Sequence, residues 1–179
     1  ILDTAQAKGI RVIDTACGYQ NSEHILGEAL PGNHRFLIIT KLPALKKKSV
    51  TNHDTASLEK TFRTSLIHLK AKRFGGLLMH HPGDLLVPGG GKLYSLLRSL
   101  KSAGDVEKIG ISVYDGSEID RLFYYYDFDL VQLPLNVFDQ RLVQSGHVAM
   151  LKKRGIEVHV RSAFLQGLLL KPHDKIDTY

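Results

Sequence analysis

The sequence predicts an α/β protein built on a parallel sheet, and three observations lead there. Six short runs rich in β-branched and apolar residues are separated by five segments of helical periodicity, the pattern of right-handed βαβ units. The 179 residues are 43% hydrophobic and 23% charged, the balance of one globular domain with a sizeable core and not of a disordered chain. No change of composition marks an interdomain linker, and no internal repeat is evident.

The first strand is expected at Ile10 to Ala16, where β-branched residues cluster behind Gly9. Ser22 to Leu30 follows as a short helix with Ser22 as its cap and Glu23 at the positive end of the dipole. Pro31-Gly32-Asn33 is its expected stop. Phe36 to Leu42 is an almost unbroken apolar run interrupted by Lys41, as in a strand covered on both faces.

Helical spacing of Leu58, Phe62, Leu66 and Leu69 predicts a helix from Asp54 to Lys70. A strand at Phe74 to His80, a helix at Lys92 to Ala103 and a strand at Lys108 to Val113 come next. Ser117 to Tyr126 then predicts a helix and Leu130 to Asn136 a strand, although Pro134 lacks a ladder donor. Val143 to Arg154 is expected as one helix stopped by Gly155, before a last strand at Ile156 to Phe164. This periodicity fits both an open doubly wound sheet and a (β/α) barrel.

Composition excludes several functions. The longest apolar run falls well short of the ~18–20 residues that span a bilayer, and the chain opens with no basic segment leading into an apolar one, so neither membrane nor secretion is expected. The formal charge of +6 comes from scattered residues, and the Lys46-Lys47-Lys48 run has no interleaved aromatics. That run is expected as a solvated loop, and no nucleic-acid partner is expected. The single Cys17 cannot form an internal disulfide, which favours a reducing, cytoplasmic setting. A start at Ile1 is expected of a trimmed or processed chain.

In either architecture ligands bind at the carboxyl ends of the strands. Those ends carry Asp14, Thr15, Lys41, His80, His81, Ser112, Gln132, Asn136, Arg161 and Ser162. Gly89-Gly90-Gly91-Lys92 looks like the end of a P-loop, but Leu86 stands where the first Gly is needed and Leu93 where Ser or Thr is needed. A flexible loop is the expectation there. His80 and His81 point to opposite faces of a strand and no ligand cluster accompanies them, so no metal site is expected. Cys17, with no base assigned to it, is expected to be an incidental thiol near the pocket.

Asp14, Tyr19, Lys41 and His80 together suit general acid catalysis at a carbonyl. A phenol near pKa ~10 is a poor acid at neutral pH unless a cation stabilises its phenolate. Lys41 supplies that cation, Asp14 holds Lys41, and His80 donates to the substrate oxygen. Position alone leaves open that the four are ordinary strand-end ion pairs and a surface Tyr.

Asp14-Thr15-Ala16-Cys17-Gly18-Tyr19, continuing through Ser22-Glu23, Leu26-Gly27 and Ala29-Leu30, resembles a signature of the aldo-keto reductases. Ile39-Thr40-Lys41 resembles their catalytic-lysine strand and Leu77-Leu78-Met79-His80-His81-Pro82 their catalytic-histidine strand, with His80 aligned. Lys108 to Ser112, Gln132 with Asn136, and Ser162 to Gly167 continue the likeness. The resemblance implies a (β/α)8 barrel, incomplete here, with about six β/α units over residues 1–179 as a single partial domain lacking the first and last strands. It implies hydride transfer from a nicotinamide cofactor, NADP(H) rather than NAD(H), to a small aldehyde or ketone.

By the same resemblance Tyr19 is the acid, Lys41 and Asp14 tune it, and His80 orients the carbonyl. Ser112 and Gln132 would hold the nicotinamide carboxamide, and Arg161, Ser162, Phe164, Gln166 and Gly167 would line the rest of the cofactor site. Two departures stand out: Val113 where many members have Asn, and Arg161 where many place an aromatic that stacks on the nicotinamide. A non-catalytic nicotinamide-binding or regulatory module is the alternative reading. Absent first and eighth strands would leave two open sheet edges, an aggregation hazard.

Overall fold

The computed structural model describes residues 1–30 and 34–172. Its elements in chain order are α1 (Leu2–Ala7), β1 (Val12–Asp14), α2 (Ser22–Ala29), β2 (Leu37–Leu42), α3 (Asn52–His68) and β3 (Phe74–Met79). After a 3₁₀ turn at Pro82–Leu85 come α4 (Gly91–Ser102), β4 (Val106–Ser112), α5 (Gly116–Tyr125), β5 (Leu130–Pro134), α6 (Arg141–Gln144), α7 (His147–Lys153) and β6 (Glu157–Arg161). A second 3₁₀ segment covers Leu165–Leu170. The expected stop at Pro31-Gly32-Asn33 lies outside the described residues.

Every strand pairs in parallel with the next one in sequence, in the order β1-β2-β3-β4-β5-β6. A doubly wound sheet reverses its strand order at a switch point, and this one does not. The sheet also curls. Gln132 on β5 and Asp14 on β1 are four strand positions apart, ~19 Å at the usual spacing in a flat sheet, yet the Gln132 amide donates to the Asp14 carboxylate at 2.9 Å. Six parallel strands with their crossover helices thus form a curled part of a (β/α) barrel.

Alternation along the strands sorts the core into two layers. Ile38, Leu42, Leu77, Met79, Ile109, Ile111, Val131 and Leu133 face outward and pack with Leu58 and Phe62 of α3, Leu93 and Leu97 of α4, and Ile119 and Leu122 of α5. Ile39, Leu78 and Leu130 meet on the inner face. The same inner face, one step further toward the carboxyl ends, carries Lys41, Ser112 and Gln132, all buried. A polar layer capping an apolar one is what places the candidate chemistry.

Three local features differ from expectation, and a fourth, Pro134 in β5, finds its explanation. The helix expected over Val143 to Arg154 is two helices, because Gly146 between them takes a left-handed φ of 81° and ends the first. The six-residue α1 went unanticipated; it has no buried residue, so it carries no apolar stripe for the sequence to show. Gly89-Gly90-Gly91 is a packed turn opening α4 and not a flexible loop: a Cβ on Gly89, at φ +80°, would sit 2.2 Å from the Val50 carbonyl oxygen. Pro134 is tolerated because the β4 ladder ends at Ser112–Gln132, one alternation before the missing donor would be used.

Candidate active site

Asp14 ends β1, Lys41 lies in β2 and His80 directly follows β3, so three consecutive strands deliver three polar groups to one rim. The turn after β1 delivers the fourth. Tyr19 N–H donates to the Ala16 carbonyl at 3.0 Å and Ser22 N–H to the Tyr19 carbonyl at 2.9 Å. Thr15 and Ser22 hydroxyls are bonded at 3.0 Å, and the buried Thr40 hydroxyl donates to Glu23 at 2.6 Å. Thr15, Ser22 and Glu23 therefore fix the turn that holds Tyr19 over the rim.

The Lys41 ammonium is within hydrogen-bond distance of three acceptors: both Asp14 oxygens, at 2.8 and 2.7 Å, and the Thr15 carbonyl at 2.9 Å. It also lies 5.2 Å from the Tyr19 ring centroid. The Tyr19 and His80 rings meet edge to face at 5.8 Å. Among the described residues no side chain bonds to the Tyr19 hydroxyl.

Burial pushes the Tyr19 phenol above its ordinary pKa, Asp14 adds to the rise, and Arg161 opposes it. The lysine expected to stabilise the phenolate is held by both oxygens of Asp14. Burial also lowers Lys41, against the pull of Asp14. His80 is lowered by burial first and then by the Lys41 and Arg161 charges, which keeps its imidazole neutral at neutral pH. Burial lifts the Cys17 thiol to about 11, and its Sγ donates to the Lys41 carbonyl at 3.2 Å; a protonated thiol is a weak nucleophile.

Ser112 and Gln132 sit side by side in register. Ser112 Oγ donates to Gln132 Oε1 at 3.3 Å, and Gln132 Nε2 donates to Asp14. That link between Gln132 and Asp14 has no signature in the sequence, since 118 residues separate the pair.

Arg161, at the end of β6, donates from Nη2 to the Val113 carbonyl at 3.1 Å and stacks its guanidinium 4.0 Å from the centroid of the Tyr114 ring. Its buried Nε has no partner, a loss of about 1–3 kcal/mol for a buried donor. Tyr114 was missed at the sequence level; the signal available was its place two residues beyond Ser112, in the loop that leaves β4. Ser162, Gln166 and Gly167 turn through left-handed φ of 59°, 55° and 90°, Phe164 is exposed between them, and the Ser162 carbonyl accepts from Asn136 at 3.3 Å.

A singly wound parallel barrel segment with a Tyr, Lys, Asp and His cluster at the carboxyl ends of its strands defines the class, a (β/α)-barrel protein with its polar site at the strand mouth. The profile of the aldo/keto reductase family matches residues 1–179, and the chain belongs to that family. Solved structures agree on the fold. An aldo-keto reductase from Bacillus halodurans in its holo form has a TM-score of 0.79 at 22% identity, over 100% of this chain and 61% of its own. The glycerol dehydrogenase of Gluconobacter oxydans has 0.75 at 23%, over 99% and 56%. An aldo-keto reductase from Klebsiella pneumoniae in complex with NADPH has 0.74 at 18%, over 93% and 57%. The chain thus spans about 60% of the length of the solved structures it matches. Among curated proteins none matches it.

Proposed function

We propose that the protein reduces an aldehyde or ketone with hydride from a nicotinamide cofactor, Tyr19 acting as general acid. The observation that carries this reading is the strand-end cluster: a phenol hydroxyl with no bonding partner among the described residues, an imidazole at 5.8 Å ring separation, and a buried lysine clamped by a carboxylate. Family membership and the complex of the Klebsiella pneumoniae reductase with NADPH support the cofactor, NADP(H) in preference to NAD(H). A cytoplasmic setting and a barrel whose strands two to seven lie in residues 1–179 belong to the same reading.

The residues present fit such a cofactor. Gln132 keeps one amide N–H and one carbonyl lone pair beyond its bonds to Asp14 and Ser112, enough to engage a planar carboxamide without breaking either bond. The loop after β6 runs through left-handed Ser162, Leu165, Gln166 and Gly167; three of these are not glycine, a strain of about 1–3 kcal/mol each that ligand loops commonly hold.

When bound, a reduced nicotinamide supplies the hydride that reaches the carbonyl carbon. Tyr19 Oη, protonated at neutral pH, gives its proton to the carbonyl oxygen. His80, held neutral, donates a hydrogen bond to the same oxygen and orients it. Asp14 and Gln132 fix Lys41 beside the ring, where its ammonium steadies the charge that grows on the phenol as the proton leaves.

The test measures loss of absorbance of the reduced cofactor with a panel of aldehydes and ketones, comparing the full-length protein with Tyr19→Phe. The expected loss in kcat is about 10²–10⁴-fold. Equal rates would remove the acid role, and cofactor binding without turnover on any carbonyl would establish the non-catalytic alternative.

A further inference from the structure

Among the described residues, Arg161 is the one cation at the mouth that no carboxylate balances. It forms no ion pair among them, whereas Lys41 is bonded by both oxygens of Asp14. Parallel register places it on the inner face: Ser112 pairs with Gln132, Gln132 with His159, and Arg161 is one alternation beyond His159. Its field reaches Tyr19, Lys41 and His80, in each case opposing protonation. Asp14 is already paired with Lys41, and the Glu118 carboxylate in the first turn of α5 is engaged by the Tyr114 N–H; among the described residues neither bonds to Arg161.

The guanidinium is also held in a fixed plane. Tyr114 covers one face at 4.0 Å and the Val113 carbonyl takes one Nη2 proton, while Nε is buried without a partner. A partly buried guanidinium with spare donors and no counterion is costly, and its planar fork is suited to a carboxylate or phosphate. An aromatic at this position could not make that contact.

We propose that Arg161 forms an oxyanion subsite at the barrel mouth, so that one of the two reactants bound there is held by a carboxylate or phosphate group. The proposal rests on the reading of the cluster as a carbonyl-reducing site, and it adds the chemical class of ligand. Two sources carry this chemistry, an acidic carbonyl substrate and the phosphates of the cofactor.

The experiment compares the full-length protein with Arg161→Met and Arg161→Lys. Its first arm measures kcat/KM for 4-carboxybenzaldehyde and for its neutral methyl ester. The ratio of acid to ester is expected to fall about 30-fold in Arg161→Met and to recover in part in Arg161→Lys, which keeps the charge without the fork. The second arm measures the Kd of NADPH; a fall in affinity of about tenfold with the acid-to-ester ratio unmoved identifies the cofactor phosphates as the source. The third arm titrates benzoate and inorganic phosphate by calorimetry, a readout that needs no turnover. It tests the subsite even if Tyr19→Phe proves as active as the native protein. An unmoved ratio, an unmoved Kd and unchanged anion binding in Arg161→Met overturn the proposal.

Discussion

Asp14 does two opposing things to Tyr19. It clamps Lys41 in place beside the ring, where the ammonium can meet charge on the phenol, and its own negative charge raises the phenol's pKa. The sign follows: reduction needs protonated Tyr19, so kcat/KM is flat through neutral pH and falls only as pH rises through a phenol pKa held above its ordinary value of 10.0. Asp14→Asn removes the anion and leaves Lys41 uncompensated, so the alkaline limb is expected to move to lower pH even as the rate drops. A pH profile of both proteins checks this, and a limb that stays in place would mean that Asp14 does not act on Tyr19. The four residues were legible because each stands at a strand end or one turn beyond. The Gln132 to Asp14 bond was not, because it depends on how far the sheet curls, and the Arg161 to Tyr114 stack was not, because Tyr114 lies in the loop beyond β4.

Secondary structure was legible where an element buries a stripe. The stripe of α3 runs through Leu58 and Phe62, both buried, and on to Leu69 just past its end. Its start is set by a capping box: Thr51 accepts from Asp54 N–H, and the Asp54 carboxylate accepts from Thr51 N–H at 2.9 Å and from its hydroxyl at 2.7 Å. Hydrogen bonds from Lys47 and Thr51 hold Asp54 far below the usual carboxylate range. Because the folded pKa lies below the unfolded one, its stabilisation is full above about pH 5, begins to fall as pH passes the unfolded value, and is lost progressively down to the lower folded value. Thr51→Ala is expected to cost about 1 kcal/mol, a fall in Tm of roughly 2–4 °C for a chain of this size, read by thermal unfolding followed by circular dichroism; an unmoved Tm would show that the box does not limit stability. The signature pair Leu26-Gly27 gains a packing reason at this scale. A Cβ on Gly27 would lie 1.9 Å from the His68 carbonyl oxygen, so α2 crosses the end of α3 only because that residue is glycine. The short α1 buries no residue and so escaped periodicity, whereas the expected helix over Val143 to Arg154 was right in type and is divided by the left-handed Gly146.

Periodicity established alternating strands and helices but not the order of the strands, which long-range pairing decides. That order leaves β1 and β6 as the two edges of the described sheet, and they differ from the strands between them. Strands β2 to β5 are largely buried, whereas β1 and β6 are half-buried or exposed throughout. Apolar side chains lie open near those edges: Val12 at 37%, Leu37 at 42% and Val160 at 45% exposure. An unpaired strand with exposed apolar residues is a template for another chain, and in a closed barrel the same edges would be joined. Residues 1–179 produced alone are therefore expected to self-associate at micromolar concentration, seen as a mass that grows with concentration in light scattering. Val160→Lys places a charge on the β6 edge and should suppress the association, the role edge lysines play in natural sheets. A concentration-independent monomeric mass for residues 1–179 would mean that the edges are protected within the segment itself, and the account of β1 and β6 as open strands would fall.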